Sequence, residues 1–600
     1  MGAAELGAGE TGVREGGGAR RPAPPRASMA PAGESQLFLL LLICFLSVAC
    51  SGPSGDERGA ETPSLPPPVP NFTDVTAESG VRFVHFNDAT ARRLLPETMG
   101  AGVALFDFDD DGDADVYFVN GTGLSSGATA SGALYENLGG WRFRDVTAAA
   151  GLSRPIYGMG AAVGDVDGDG WLDLFVSGLG EDRLYRNLGG RGFEDVSARF
   201  GLGPPGFSSS AAFLDYDRDG RLDLYVARYV DWSLAGDVRC APDGTNPTYC
   251  TPEVYEGSPN LLLRNVDGRR FEEVTLAAGL WWPEGKSLGV VVLDVEGDGW
   301  PDLAVANDTS RNTLYRNLGR GAGAAAVGGV HFEEVGIEAG FAFSESGATR
   351  GGMGIDAGDV DGDRRPDLAV GNFAQEMSAL YRALGGGLFI DDAAQRGVGL
   401  PTLLPLAFGT LLFDRDGDGD LDLALVNGHI EPDIERTRPL HTYAQPPQLF
   451  DNDGAGRFTA VEPPPGDAFA APLVGRGLAA ADLDGDGDLD LVVTQNGRPA
   501  RLYRNESNPR RWLRVALVGR GSAAAYGATV RVVAGERSWR QTLVSGRSYL
   551  SASEPVLTFG LDDVEKVDRV EVTWPSGKEQ TIESPEINRT LEIDESGRGS

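Results

Sequence analysis

Asp165-Val166-Asp167-Gly168-Asp169-Gly170-Trp171-Leu172-Asp173, running into Leu174-Phe175-Val176, is the stretch whose reading decides the fold. Six further stretches repeat it, beginning at Asp107, Asp215, Asp294, Asp359, Asp414 and Asp482. Alternate acids at positions 1, 3 and 5 place three carboxylates toward one point as the backbone turns. Glycine at position 6 permits the sharp bend. The carbonyl at 7 supplies a neutral oxygen, and the acid at 9 closes the shell. Hard oxygen donors in that number suit calcium better than a transition metal. The predicted ligands are Asp107, Asp109, Asp111 and Asp115; Asp165, Asp167, Asp169 and Asp173; Asp215, Asp217, Asp219 and Asp223; Asp294, Glu296, Asp298 and Asp302; Asp359, Asp361, Asp363 and Asp367; Asp414, Asp416, Asp418 and Asp422; and Asp482, Asp484, Asp486 and Asp490. Up to about seven calcium ions are expected. A helical EF-hand would carry Glu at position 12. Here position 12 is Val176 or Leu425, so the loop enters a β-strand. Glu296 lengthens one arm of the fourth loop, and Arg364 replaces the bend glycine of the fifth, which is expected to be the weakest site. One such loop alone is as readily a solvated turn; seven in register are not.

The chain has 600 residues, enough for several domains or one large repeat structure. Its 88 acidic against 52 basic residues give a formal net charge of −36, which argues against nucleic acid as a partner. Much of that acidity is accounted for by the loops. Arg14, Arg20, Arg21 and Arg26 precede a mostly apolar run from Leu37 to Ala49. The run is short for a bilayer span but fits the apolar region of an export signal. It ends Leu46-Ser47-Val48-Ala49-Cys50, which resembles a bacterial lipobox with Ser47 where Leu is usual. Lipidation at Cys50 is the expectation, with ordinary cleavage or a retained anchor as alternatives. Beyond Cys44 and Cys50 only Cys240 and Cys250 remain, bracketing a turn-rich loop, and a disulfide between them fits an oxidising compartment. The expected location is extracytoplasmic: cell surface, periplasmic or secreted.

Residues 1–50 thus read as a signal, and 51–70 as a Pro/Gly/Ser linker. A long unit then repeats. A Phe-x-Asp-Val-Thr element occurs, with variants, at Phe72, Phe143, Phe193, Phe271, Phe332, Phe389 and Phe458. A Leu-Tyr-Arg-Asn element ends, with variants, at Asn137, Asn187, Asn265, Asn317, Ala383, Asn452 and Asn505. Short strands repeating at this length predict a propeller. The first Phe element lacks a preceding partner and the last Leu-Tyr-Arg-Asn lacks a following one. The N-terminal strand is therefore expected to complete the last blade and to close the ring. The fold expected is all-β: a seven-bladed β-propeller over 71–510, then a small β-sandwich-like domain over 511–600, where alternating strands replace the acidic loops.

The repeats resemble the FG-GAP/VCBS propellers of integrin α heads and bacterial surface proteins. The tail resembles the ASPIC/UnbV domain on Gly546-x-Ser-Tyr549, Phe559-Gly-Leu561 and Trp574-Pro-Ser-Gly577. The pairing is similar to the cartilage acidic protein family. The stretch Ser522-Ala-Ala-Ala-Tyr-Gly527 lacks the Asn-Arg pair that the resemblance leads one to expect after the serine. A ligand read by that pair in relatives would be lost here. The resemblance implies calcium binding and adhesion.

No catalytic constellation stands out. There are four histidines, and no nucleophile elbow, P-loop or dinucleotide fingerprint in strand-to-helix context. Trp281-Trp282-Pro283 is read as a packing or loop anchor with sugar contact as the alternative. Asn71, Asn120, Asn307, Asn505 and Asn588 begin N-x-Ser/Thr patterns. The favoured expectation is an exported, non-enzymatic calcium-binding scaffold whose propeller face recognises a protein or polysaccharide. Membrane contact would come only through Cys50. The alternative is an exported hydrolase or cofactor enzyme using the central pocket with His85 or His429, which requires those residues to converge at the axis.

Overall fold

The computed structural model describes residues 71–597 apart from 242–243, 322–328, 508, 510 and 521–523. The signal, the linker and Cys50 lie outside the described residues. The protein is all-β. Seven four-stranded sheets share one plan, seen in the second: Gly158–Gly164, Asp173–Gly178, Arg183–Asn187 and Phe193–Asp195, each antiparallel to the next. The acidic loop joins its first and second strands. The seventh sheet takes its fourth strand from the N-terminus: Phe72 pairs with Asn505, Thr73 with Arg504 and Asp74 with Tyr503.

The first strands are Val103–Phe106, Gly158–Gly164, Ser208–Leu214, Ser287–Leu293, Gly352–Gly358, Ala407–Phe413 and Gly475–Ala481. Each lies beside the first strand of the next sheet, and Gly475–Ala481 lies beside Val103–Phe106. These strands are buried on both faces almost throughout. That explains their composition: small residues such as Gly-Met-Gly-Ala-Ala and Gly-Arg-Gly-Leu-Ala-Ala leave room where strands crowd an axis.

The C-terminal residues form two packed sheets. Val556–Gly560, Trp512–Val518 and Thr590–Asp594 make one; Arg537–Thr542, Thr529–Ala534, Arg569–Thr573 and Glu579–Glu583 make the other. Their facing side chains, including Val515, Val532, Phe559, Val570 and Trp574, join a single apolar core with Phe106, Phe193 and Phe213 of the first three blades. The module sits on the acidic-loop face. Gly560 N donates to Asp414 Oδ2 at 3.0 Å, and Arg514 lies 3.4 Å from Asp482.

One segment of this module, 545–553, threads among the first strands. Phe213 N donates to Ser545 Oγ (2.6 Å), Thr410 N to Ser548 Oγ (3.1 Å) and Ala480 N to Ser553 Oγ (3.1 Å). Ala161 N donates to Leu550 O (3.1 Å) and Leu105 N to Ala552 O (2.9 Å), while Ser548 N donates to Ile355 O (2.8 Å). Six of the seven sheets are thus held by one short stretch. A first strand in a propeller has an unpaired edge facing the axis, and buried backbone groups must find partners. Here the C-terminal segment supplies them. Gly102 is required by this approach, because a Cβ there would stand 2.1 Å from Leu550 O. Arg547 anchors the segment: its guanidinium pairs with Asp356 at 2.5 Å, and that carboxylate is fully buried. Replacing Arg547 by Ala would leave a buried charge unpaired, at a cost of about 3 kcal/mol. Thermal unfolding of R547A should show a clearly lowered midpoint; an unchanged midpoint would refute the anchoring role.

Candidate metal centres

The seven loops share a backbone. Positions 4 and 6 are left-handed in all of them, as at Gly168 (φ 74°) and Gly170 (φ 91°). Glycine takes this conformation freely, whereas other residues are strained by it. Three residues adopt it regardless: Asp110 and Arg218 at position 4, and Arg364 (φ 71°) at position 6.

Each acid has a defined place. The first-position carboxylate accepts the amides of the turn: Asp165 Oδ1 from Gly168 N (2.8 Å) and Asp169 N (3.2 Å), and Oδ2 from Gly170 N (2.8 Å). The fifth-position carboxylate accepts the amide two residues on, as Asp169 does from Trp171 N (3.1 Å). The ninth-position carboxylate closes the loop. Asp173 Oδ2 accepts from Val166 N (2.9 Å) and Oδ1 from Asn187 N (2.7 Å). The third-position carboxylate is different. Oδ1 of Asp109, Asp167, Asp217, Asp361 and Asp484 is buried with no hydrogen-bond partner.

Oxygens of positions 1, 3 and 9 come within 4.8 Å of one another in four loops: Asp107, Asp109 and Asp115; Asp165, Asp167 and Asp173; Asp215, Asp217 and Asp223; Asp359, Asp361 and Asp367. In the sixth, Asp414, Asp416 and Asp418 do so. In those four loops the fifth-position acids Asp111, Asp169, Asp219 and Asp363 stand outside the close trio. Arg364 does not open the fifth loop, because the strained backbone still brings its three acids together. Glu296 of the fourth loop turns toward Arg316, 3.0 Å away.

Burial raises these acids. It pushes Asp115 and Asp422 up to about 8, and Asp302 and Asp367 to about 7, against the pull of their backbone hydrogen bonds. Burial and the neighbouring acids Asp111, Asp107 and Glu136 lift Asp109 to about 6. Clustered, partly desolvated carboxylates with an orphaned oxygen form a donor set that a hard divalent cation fits.

Sequence reasoning missed two partners that the repeat had displayed. The Arg of Leu-Tyr-Arg-Asn faces the third-position acid of its own loop: Arg264 to Asp217 (2.7 Å), Arg186 to Asp167 (3.5 Å) and Arg382 to Asp361 (3.9 Å). In the first blade Glu136 stands there instead. The Asn joins adjacent blades. Asn265 Nδ2 donates to Leu222 O in its own loop (3.1 Å) and to Val166 O in the preceding one (2.7 Å). Asn187, Asn317, Asn452 and Asn505 do the same, and Asn137 reaches Leu483 O of the seventh loop (2.9 Å). Ala383 leaves the fifth blade without such a side chain.

The other singled-out residues fall elsewhere. His85 Nδ1 accepts from Gly497 N (3.1 Å) and His429 Nδ1 from Glu431 N (3.0 Å). Burial, reinforced for both by the Arg476 charge, lowers each to about 3. The enzyme alternative requires His85 and His429 to converge at the axis; both feel the charge of Arg476, and segment 545–553 threads among the first strands there. Tyr549 packs there against Phe408, with ring centroids 4.9 Å apart. Cys240 and Cys250 form the expected disulfide. Trp282 lies under Arg311, and Trp281 is half exposed. Asn120, Asn307 and Asn505 are buried and hydrogen-bonded, so their sequons are folded inside.

Residues 107–176, 165–226, 294–370 and 414–493 match the FG-GAP-like repeat, and 519–600 match ASPIC and UnbV. Each repeat match opens on a first-position aspartate, and together they take in all seven loops. The chain is an FG-GAP-like repeat protein with a C-terminal ASPIC and UnbV domain. It is related to cartilage acidic protein 1: 27% identical to the Mus musculus protein over 346 residues (50% of this chain, 51% of that protein) and 28% identical to the Homo sapiens protein over 301 residues (42% and 45%). The chain spans about half the length of the curated relatives it matches. Similar solved structures include an Agrocybe aegerita lectin recognising non-reducing terminal N-acetylglucosamine (17% identity, 68% of this chain and 95% of that one, TM-score 0.36). Another is BBS1N in complex with ARL6DN (10%, 74% and 98%, TM-score 0.39).

Asn452→Ala leaves the carbonyls of Val360 and Leu421 without their donor, which should cost about 2–4 kcal/mol and lower the urea midpoint. An unshifted midpoint would refute the asparagine link between blades. The acids near 7–8 in the folded, metal-free protein titrate near 4 when unfolded. Between these values the folded state holds more protons, so metal-free stability falls as pH rises from about 5 to 8. Melting in chelator across that range should show the fall. A flat or rising profile would contradict it.

Proposed function

We propose that this protein is an exported calcium-braced scaffold: a closed seven-bladed propeller over 71–510, whose loops carry the ions, and a C-terminal domain over 511–600 docked on them. The observation that carries this reading is the recurrent buried third-position oxygen, without a protein partner, beside the first- and ninth-position carboxylates of the same loop. The asparagine links, which join six of the seven neighbouring pairs and include Asn137 to Leu483 O, support closure. The ligands are the acids at positions 1, 3, 5 and 9 of each loop. The disulfide supports an oxidising, extracytoplasmic location. Among the described residues no helix is long and apolar enough to cross a membrane. Cys50 is the proposed point of lipid attachment. The role is recognition of a protein or polysaccharide at the cell surface, without catalysis, and the family relationship to cartilage acidic protein 1 fits such a role.

Calcium acts here as part of the fold. A ligand bound only by the folded state adds about 2.7 kcal/mol per site at roughly 100-fold excess over Kd. Calorimetric titration of the chain from residue 51 should count five to seven ions, and chelation should lower the thermal midpoint sharply. Uptake of one ion or none, or a melt indifferent to chelator, would overturn the reading.

A further inference from the structure

Between the acidic-loop face and the C-terminal domain lies a cavity of about 570 Å³. Roughly 300–1,000 Å³ is the size that holds small organic ligands. Two independent features mark it. The first is the pair of arginines that break the loop's glycine pattern. Arg218 (φ 53°) and Arg364 (φ 71°) sit at left-handed positions where glycine would be unstrained, and both line this cavity. Backbone strain of this kind persists where a site uses it. Arg540 joins them from the C-terminal domain, its Nη1 donating to Arg364 O at 2.9 Å. Arg531 and Arg365 pair with Glu571 and Asp363, and Arg218 lies over Trp300. Among the described residues, Arg218, Arg364 and Arg540 are in no ion pair.

The second feature belongs to the C-terminal domain. Trp574 is 1% and Thr558 7% exposed, and Trp574 Nε1 and Thr558 Oγ1 have no hydrogen-bond partner. Both residues line the cavity. A buried polar atom left unpaired is costly, and a ligand with complementary groups removes the cost.

We propose that this cavity binds a small acidic saccharide, one carrying carboxylate or sulfate groups. Guanidinium forks suit the oxyanion. The indole N–H and the threonine hydroxyl suit sugar hydroxyls. The proposal deepens the recognition role above and rests on it in one respect: the loop acids Asp215, Asp294, Asp298, Asp359 and Asp414 also line the cavity, and calcium on their loops offsets their repulsion of an anion, while Glu554 and Glu571 are held by Arg514 and Arg531.

The test is calorimetry on the whole protein in calcium, with galacturonate and a sulfated uronate disaccharide as probes and galactose as the neutral control. Calcium uptake is counted in parallel. At least one acidic probe should bind, and galactose should not. R218G and R364G each restore the loop glycine, so both should keep or raise the thermal midpoint while weakening acidic-probe binding about tenfold or more. Three results would overturn the site: no acidic probe binds calcium-loaded protein, galactose binds as tightly as the acids, or both glycine variants bind like the parent. Binding that is lost in R218G and R364G, in a protein that takes up no calcium, would uphold the site and overturn the calcium reading instead.

Discussion

The architecture depends on a hydrogen-bond relay that runs from loop to strand to neighbouring loop. A ninth-position aspartate accepts the amide of an asparagine on the next strand of its sheet, and that asparagine donates to the second-position carbonyl of the blade before it. The aspartate thereby shapes its own loop and aims the side chain that holds the next. Because the asparagine also accepts an amide through its Oδ1, as Asn265 does from Gly268 N (2.8 Å), every polar group on it is used. Such a fully satisfied, buried network tolerates no partial loss. Ala383 marks the one blade whose repeat element gives up the side chain and keeps only the backbone half of the relay, with its amide still on Asp367 Oδ1.

The acids of the loop therefore have two duties that pull against each other. Amides of the turn stabilise the first- and ninth-position carboxylates, yet burial and mutual repulsion raise them. A divalent cation in the loop would resolve the conflict by adding positive charge where the backbone can add only dipoles. The arginine facing the third-position acid supplies part of that charge in several blades. Its replacement by Glu136 makes the first blade the more anionic neighbour of its loop.

Much of this was legible in the sequence because repetition exposes it. The loop spacing, the strand after it and the split elements at the two ends predict β sheets with Phe72–Asp74 added to the last one, and the structure pairs them so. The disulfide was legible from two cysteines in a turn-rich loop. The asparagine was visible as a recurrent letter, but its second partner lies in the preceding blade, and no local pattern encodes a contact across blades. The axial segment was legible only as a fragment of resemblance. Gly546-Arg547-Ser548-Tyr549 has neither strand alternation nor helical period, and the segment 545–553 that contains it takes its partners from blades as far apart as Phe213 and Ala480. The cavity was hidden for a related reason. It exists only where two domains face each other, although Arg364, one of the arginines that line it, announced itself as a break in the glycine pattern.

The axial segment also sets an order of events. Its residues leave the ribosome, and any translocation pore, after every blade has already passed. Until they arrive, the first strands can gather but their inward amides lack the acceptors that Ser545, Ser548, Leu550, Ala552 and Ser553 bring. This stretch is thus a keystone, and a chain stopped before residue 545 would leave those inward amides of the first strands without their acceptors. Arrival of residues 545–553 thereby becomes the moment at which the sheets can lock together, and a chain stopped before them is told from one that carries them by its stability alone.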